Sequence, residues 1–279
     1  MTDRRWTQTE PESDVVALVN YANLTEEGAA KARQKELDQL WEFDVYEIAT
    51  RAEAYDDGAT PISTRWVDVL KGDGAHKSRL VAKQFNQGDV LHENYSPTPS
   101  STTARIVEAV ALSKGLSIVY LDVSVAFLHA NVPAGQYLYA VPPPDSNVDK
   151  DKCWRLKKML YGTRAAPKAW SDHLCAALLS HGFARGRTDP CYYTHGERNL
   201  HIVAHVDDMM LAGPQQEIEA LVKKLGGELA LKSTDLMQRG NNLLKVCFPD
   251  WETGKKMNAA PTPATSATYT FEDENTYAT

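Results

Sequence analysis

The chain has 279 residues, of which 43% are hydrophobic and 24% charged, the composition of an ordinary globular protein able to bury a sizeable core. No apolar run approaches the roughly 18 residues needed to span a membrane, and the polar N-terminus carries no apolar signal core. We therefore expect an intracellular protein, cytoplasmic or nuclear and not secreted, with no membrane partner. The four scattered cysteines contain no C-x-x-C pair, which argues against a zinc site or a disulfide framework.

The net charge of −7 is unevenly distributed. Residues 1–60 carry −8, whereas residues 61–249 carry +4. Within the second stretch, residues 150–170 hold seven basic side chains against Asp151 alone. Such a surface can hold phosphates whatever the total charge, although a solvated lysine-rich face is the commoner explanation for a basic run.

The chain reads as alternating helices and strands between two polar ends. An acidic lead-in over residues 1–25 is followed by a helix with an apolar stripe formed by Ala29, Ala32, Leu37, Leu40 and Trp41. The later elements are a hairpin (62–85), a helix (101–115), an apolar strand (116–125), a rigid "VPPPD" break (141–145), and helices at 166–182 and 215–227. Residues 251–279 are rich in Ala, Thr and Pro, which predicts a disordered tail.

Two acidic positions interrupt apolar strands. "LHIVAHV" and "MMLAG" meet at Asp207 and Asp208, which predicts a hairpin with its turn at the two carboxylates. Aspartate is common in turns for local reasons, so this pair alone is weak evidence. Asp122, however, interrupts the strand "IVYLDV", where a charge is costly unless it is paired or bound to a metal.

Convergence of these carboxylates would create a site for a divalent cation. If the strand lies beside the hairpin, Asp122 and Asp207 can meet at one point. Mg²⁺ prefers oxygen ligands and often bridges carboxylates to substrate phosphates, and Mn²⁺ is the other candidate. Pairs of such ions recur in nucleotidyl transfer.

Seven stretches of the sequence, in order, resemble the reverse transcriptase domain of copia-type LTR retrotransposons. The family forms are close to K-A-R-L-V-A-K-G-F, Q-L-D-V-x-x-A-F-L, L-Y-G-L-K-Q-A-P-R-A-W and Y-V-D-D. The matching stretches are "KSRLVAKQF", "NYSPTP", "YLDVSVAFLHANV", "LYAVPPP", "CWRLKKMLYGTRAAPKAW", "HGFARGRTDPCYY" and "VAHVDDMMLAG". His205 replaces the tyrosine of the last motif.

The resemblance implies an α+β, right-hand polymerase fold. Its palm would be a small antiparallel sheet backed by helices, the fingers would come from the N-terminal half, and residues 26–250 would hold both. The thumb is expected to be degenerate or missing. The implied activity is RNA-directed DNA synthesis from dNTPs on a primed RNA or DNA template, with Asp122, Asp207 and Asp208 as the catalytic, metal-binding residues. Lys232 is a weaker candidate for a general acid to pyrophosphate.

Four further residues match nucleotide-binding positions of the family. Arg79 would hold the incoming triphosphate, and its alternative is an exposed strand residue. Phe127 would lie beneath the sugar and exclude a ribose 2′-hydroxyl, and its alternative is core packing. Tyr161 and Gly162 would lie beside the nascent base pair, and their alternative is a turn before a helix.

Two functions remain open at this point. The first is a Mg²⁺-dependent reverse transcriptase, and the second is a catalytically weak or inactive remnant that acts as a nucleic-acid-binding or scaffold module. A small-molecule hydrolase lacks support, because the sequence contains no nucleophile elbow and no H-E-x-x-H. The sequence does not define an oligomeric state.

Overall fold

The structure is a computed structural model that describes residues 24–72, 74–84 and 95–234. The helices are α1 (Glu26–Glu42), α2 (Arg51–Asp56), α3 (Ser101–Lys114), α4 (Ala166–Ser180) and α5 (Gln215–Leu225). The strands are β1 (Tyr46–Thr50), β2 (Thr64–Leu70), β3 (His76–Ala82), β4 (Ser117–Val123), β5 (Tyr139–Ala140), β6 (Lys152–Leu156), β7 (Ala184–Arg185), β8 (Tyr192–His195), β9 (Leu200–His205), β10 (Asp208–Gly213) and β11 (Leu231–Thr234). Short 3₁₀ turns occur at Ala126–His129 and Pro144–Ser146.

The strands form three small antiparallel sheets, which confirms the α+β class. The largest sheet has six strands in the order β11-β4-β10-β9-β8-β7. The others are the two-stranded β2-β3 hairpin and the three-stranded β1-β6-β5 sheet. Residues 1–23 of the predicted lead-in, the predicted tail over residues 251–279 and the stretch 235–250 before it lie outside the described residues. The expectation of a degenerate or missing thumb falls largely on this stretch.

Helices cover both faces of the six-stranded sheet. On one face, Ala104, Val107 and Ala111 of α3 pack against the strands. On the other face, α4 and α5 do so through side chains that include Trp170 and Leu221. Every residue of β10 is therefore buried, which explains why its sequence is a continuous apolar run without alternation.

A second core joins α1 to the two smaller sheets. Leu40 of α1, Leu80 of β3 and Trp154 of β6 are fully buried in it. Each large apolar side chain buried in this way contributes about 1.5–3 kcal/mol. The core therefore fixes the β2-β3 hairpin against α1 and against the β1-β6-β5 sheet.

The predicted helices are confirmed, and their ends follow ordinary capping rules. Thr25 caps α1 by accepting a hydrogen bond from the Gly28 N–H, and Ser100 caps α3 in a similar way. Gly115 ends α3 in the left-handed conformation. The prediction for Trp41 is wrong, because this residue is 71% exposed, although its ring contacts that of Tyr46 in a T-shaped arrangement.

Two turns differ in detail from the prediction. The β4 strand ends at Val123, because Val125 adopts a left-handed conformation with φ of 51° and begins a 3₁₀ turn. In the predicted aspartate hairpin, Val206 has φ of 54° and Asp208 already belongs to β10. The tip of the hairpin is therefore Val206-Asp207, one residue earlier than the pair suggested.

Candidate active site

Asp122 and Asp207 line the same cavity, whose volume is about 280 Å³. Asp122 is near the end of β4, and Asp207 is at the tip of the β9-β10 hairpin. The hairpin is held against β4 by the Val123 N–H, which donates to the Asp207 carbonyl at 2.8 Å. Pairing between β4 and β10 therefore brings two residues that are distant in sequence to one point.

Asp208 has a different environment. It lies opposite Asp122 in the strand register and beside His205, but it is only 4% exposed and is not among the residues that line the cavity. Within the described ranges, no group of three or more His, Cys, Asp or Glu side chains is disposed to hold a metal ion. The structure thus groups Asp122 with Asp207 and keeps Asp208 buried in the strand.

The hairpin tip is held from behind by α4. The Trp170 indole N–H donates to the Val206 carbonyl at 2.6 Å, and the ring is 1% exposed. A β-branched residue such as Val206 is strained at positive φ, by roughly 1–2 kcal/mol. Packing around Trp170 compensates for this strain, so the backbone that carries Asp207 has a fixed conformation.

Basic side chains line the same cavity as the two carboxylates. Lys77 and Arg79 reach it from β3, and Lys232 reaches it from β11. Burial, followed by the neighbouring charge of Asp207, raises the pKa of Asp122. Burial and the neighbouring Arg79 lower the pKa of Lys77. The two carboxylates therefore repel each other, and so do the basic side chains. A divalent cation would neutralise the carboxylates, and the phosphates of a ligand would neutralise the basic side chains.

The Tyr161 ring contacts both Arg79 and Phe127. The Arg79 guanidinium lies over the Tyr161 ring, 5.0 Å from its centroid. The Tyr161 and Phe127 ring centroids are 5.1 Å apart. Burial raises the pKa of Tyr161 to about 12, so the phenol stays neutral. Phe127 is half-buried and packs against the main core, and it is not among the residues that line the cavity.

Gly162 lies where the segment before α4 crosses β3. Its φ is 82°, and a Cβ at this position would be 2.2 Å from the Ala82 carbonyl oxygen. The Ala82 N–H donates to the Tyr161 carbonyl at 2.7 Å, which closes the crossing. Only glycine fits here, because both the backbone conformation and the available space exclude a side chain.

The basic surface predicted over residues 150–170 is partly neutralised by acidic neighbours. Lys157 pairs with Asp44, and Arg155 lies 3.5 Å from Glu47. Lys168 pairs with an aspartate one turn along α4. These pairs are exposed and worth little in stability, but they reduce the positive field that the sequence suggested.

Sequence reasoning missed Glu36, which also lines the cavity and is only 5% exposed. The signal was its position on α1, seven residues after Ala29 and four after Ala32. This spacing places a charge on the buried face of the helix. Lys77 was missed too, because its nearness to the carboxylates depends on packing between the two cores.

Comparison with known proteins identifies the family of the chain. A family model described as "Reverse transcriptase (RNA-dependent DNA polymerase)" matches residues 45–240. The chain is 32% identical over 222 residues to the "Retrovirus-related Pol polyprotein from transposon TNT 1-94" of Nicotiana tabacum, covering 75% of this chain and 16% of that protein. It is 35% identical over 166 residues to the RE2 Pol polyprotein of Arabidopsis thaliana, covering 55% of this chain and 11% of that one.

A yeast relative extends the comparison. Identity to the "Transposon Ty1-ER2 Gag-Pol polyprotein" of Saccharomyces cerevisiae is 32% over 193 residues, which covers 65% of this chain and 10% of that protein. The chain thus spans about a sixth or less of the length of these curated relatives. All three relatives are transposon polyproteins of the copia type. The matched residues include Asp122, Asp207 and the strands that carry them, and the chain belongs to the reverse transcriptase family of copia-type LTR retrotransposons.

Proposed function

We propose that this chain is an RNA-directed DNA polymerase that transfers nucleotides from dNTPs to a primer 3′-hydroxyl. The observation that carries the proposal is one cavity lined by two carboxylates and by basic side chains, namely Asp122, Asp207, Lys77 and Arg79. Two carboxylates suit divalent cations, and two basic side chains suit a polyphosphate. Nucleotidyl transfer needs both functions at one point.

The residues present fit Mg²⁺, with Mn²⁺ as the other candidate. Asp122 and Asp207 offer carboxylate oxygens, and Mg²⁺ in such enzymes often takes one or two carboxylates together with substrate phosphates. When bound, the metal would activate the primer 3′-hydroxyl and stabilise the leaving pyrophosphate. The family resemblance adds Asp208 as a third ligand. Its burial in β10 makes it the least accessible of the three.

The chain's own residues would bind and orient the nucleotide. Arg79 would contact the phosphates as a planar, two-pronged donor, held in place by the Tyr161 ring beneath it. The Phe127 ring contacts the Tyr161 ring and would limit space at the sugar. Gly162 would let the backbone pass close to β3 beside the nascent base pair.

In this proposal the six-stranded sheet with α3, α4 and α5 is the palm. The β2-β3 hairpin with α1 forms part of the fingers. The partners would be a primed RNA or DNA template and dNTPs, in the cytoplasm or the nucleus. No helix among the described residues is long and apolar enough to cross a membrane.

A primer-extension assay tests the proposal. The purified chain is incubated with an RNA template, a DNA primer, dNTPs and Mg²⁺, and an EDTA sample serves as the control. We expect template-directed, Mg²⁺-dependent extension of the primer. Binding of the primed template without extension in either Mg²⁺ or Mn²⁺ would instead support a non-catalytic nucleic-acid-binding module.

A further inference from the structure

Glu36 has an unusual position for a carboxylate. It lies on the inward face of α1 and is only 5% exposed. Together with Ala32 and Gln39 of the same helix, it lines the cavity that contains Asp122 and Asp207. The Leu80 backbone N–H donates to its carboxylate, whereas its Oε1 atom has no hydrogen-bond partner. Burying an acceptor without a donor is costly. The stability of the fold alone therefore gives no reason for a glutamate at position 36.

The surroundings of Glu36 are strongly basic. Lys77 and Arg79 interact with it electrostatically from β3. Lys35, Lys71 and Lys232 line the same cavity. The acidic groups that line it are Glu36, Asp122 and Asp207, so basic side chains outnumber acidic ones. Repulsion among these basic groups is evident at Lys77, whose pKa is lowered by burial and then by Arg79 and Lys71.

The carboxylate is also held in place. The hydrogen bond from Leu80 ties Glu36 to the strand that carries Arg79, the residue next in sequence. Glu36 therefore stays beside the basic side chains when an anion arrives. Arg79 and Lys77 would attract a bound phosphate, and Glu36 would repel it.

We infer that Glu36 is a built-in counter-anion that weakens the binding of triphosphate and pyrophosphate to Arg79 and Lys77. It acts through these two residues and is thus a positioning residue that tunes affinity. In the free protein, Glu36 partly neutralises the positive charge of Arg79 and Lys77. After the reaction, it favours the departure of pyrophosphate. This inference rests on the proposed function, because it assigns the phosphate class of ligand to the same cavity.

Direct anion binding tests the inference without any catalytic step. Sodium tripolyphosphate is titrated by calorimetry into the protein in EDTA, so that no metal contributes. The titration is done at pH 8, because burial raises the pKa of Glu36 and a high pH favours its charged form. Glu36→Gln keeps the shape and an oxygen for the Leu80 N–H but removes the charge. We expect it to bind tripolyphosphate about tenfold more tightly than the wild type, because one buried like charge has been removed.

Three further variants separate charge from structure. Glu36→Asp keeps the charge and should bind tripolyphosphate as the wild type does. Glu42→Gln removes an exposed charge from the same helix and should also leave the affinity unchanged. Glu36→Met removes the charge with a different side chain, so the test does not depend on the folding of one variant. Its expected result is the same as for Glu36→Gln.

Equal or weaker tripolyphosphate binding by the charge-free variants would overturn the inference. A purely structural role for Glu36 predicts that outcome, together with a change in thermal unfolding. Failure of this inference is distinguishable from failure of the proposed function. Normal primer extension with unchanged anion affinity in Glu36→Gln removes only the inference. Tighter binding in a chain that extends no primer removes only the polymerase.

Discussion

Replacement of Gly162 by alanine tests whether the crossing of β3 and the segment before α4 is as tight as the structure indicates. The residue has φ of 82°, and the new Cβ would lie 2.2 Å from the Ala82 carbonyl oxygen and 2.5 Å from Val81 Cγ1. The carbonyl is backbone and belongs to β3, so it cannot move without shifting the strand that carries Arg79.

The expected cost has two parts. A left-handed conformation costs a non-glycine residue about 1–2 kcal/mol. Overpacking against fixed atoms adds roughly 1–3 kcal/mol. Gly135 provides the matched control, because its φ is 80° and a Cβ added there would meet nothing within 4 Å. Gly135→Ala should therefore lose only the conformational part, and Gly162→Ala should lose both.

Urea unfolding of the two variants measures the difference. We expect Gly162→Ala to lower the free energy of unfolding by at least about 1 kcal/mol more than Gly135→Ala does, with an unchanged dependence on urea. Equal losses in the two variants would show that the Ala82 carbonyl is not held against Gly162. The argument that only glycine fits the crossing would then fail.

Three other predictions concern the site and its supports. Trp170→Phe keeps an aromatic ring, although a smaller one, and loses the N–H that holds the Val206 carbonyl. We therefore expect a lower kcat for incorporation with unchanged affinity for primed template, and an unchanged kcat would refute this. Phe127→Ala should raise ribonucleotide use relative to dNTP use in parallel assays, and an unchanged preference would mean that Phe127 only packs the core. Burial opposes ionisation of Asp68, but hydrogen bonds that include those from Arg33 outweigh it and lower the pKa of Asp68. The ionised carboxylate therefore stabilises the fold above about pH 4, and this contribution is lost as pH falls. The loss in free energy of unfolding caused by Asp68→Asn should shrink from pH 7 to pH 3 in urea unfolding. A loss that stays constant with pH would contradict the prediction.

Local patterns predicted the four longer helices, the β2-β3 hairpin, β4 and the β9-β10 hairpin, because most of these elements bury one face. The short strands β1, β5, β6, β7, β8 and β11 and the short helix α2 were not predicted. The α3 and α4 stripes and the apolar β4 and β10 strands follow from hydrophobic spacing and capping residues. The α1 stripe was less accurate, because five apolar positions do not all fit on one helical face. Trp41 is exposed, and Glu36 occupies the buried side instead.

The site was predictable only in part. The convergence of Asp122 and Asp207 was expected from charges that interrupt apolar strands. The turn was displaced by one residue because Val206 adopts positive φ, which a valine gives no reason to expect. The approach of Lys77 and Glu36 depends on long-range packing of α1 and the β2-β3 hairpin, which no local pattern encodes.

The most direct test of the account is incorporation of dNTPs by Asp207→Asn on a primed RNA template. The variant removes the charge with almost no change in volume. Asp149→Asn, at an exposed aspartate outside the cavity, is the matched control. We predict that Asp207→Asn abolishes Mg²⁺-dependent incorporation while its thermal unfolding and that of the control stay as in the wild type. Incorporation by Asp207→Asn at the rate of the control would contradict the assignment of this cavity as the polymerase site.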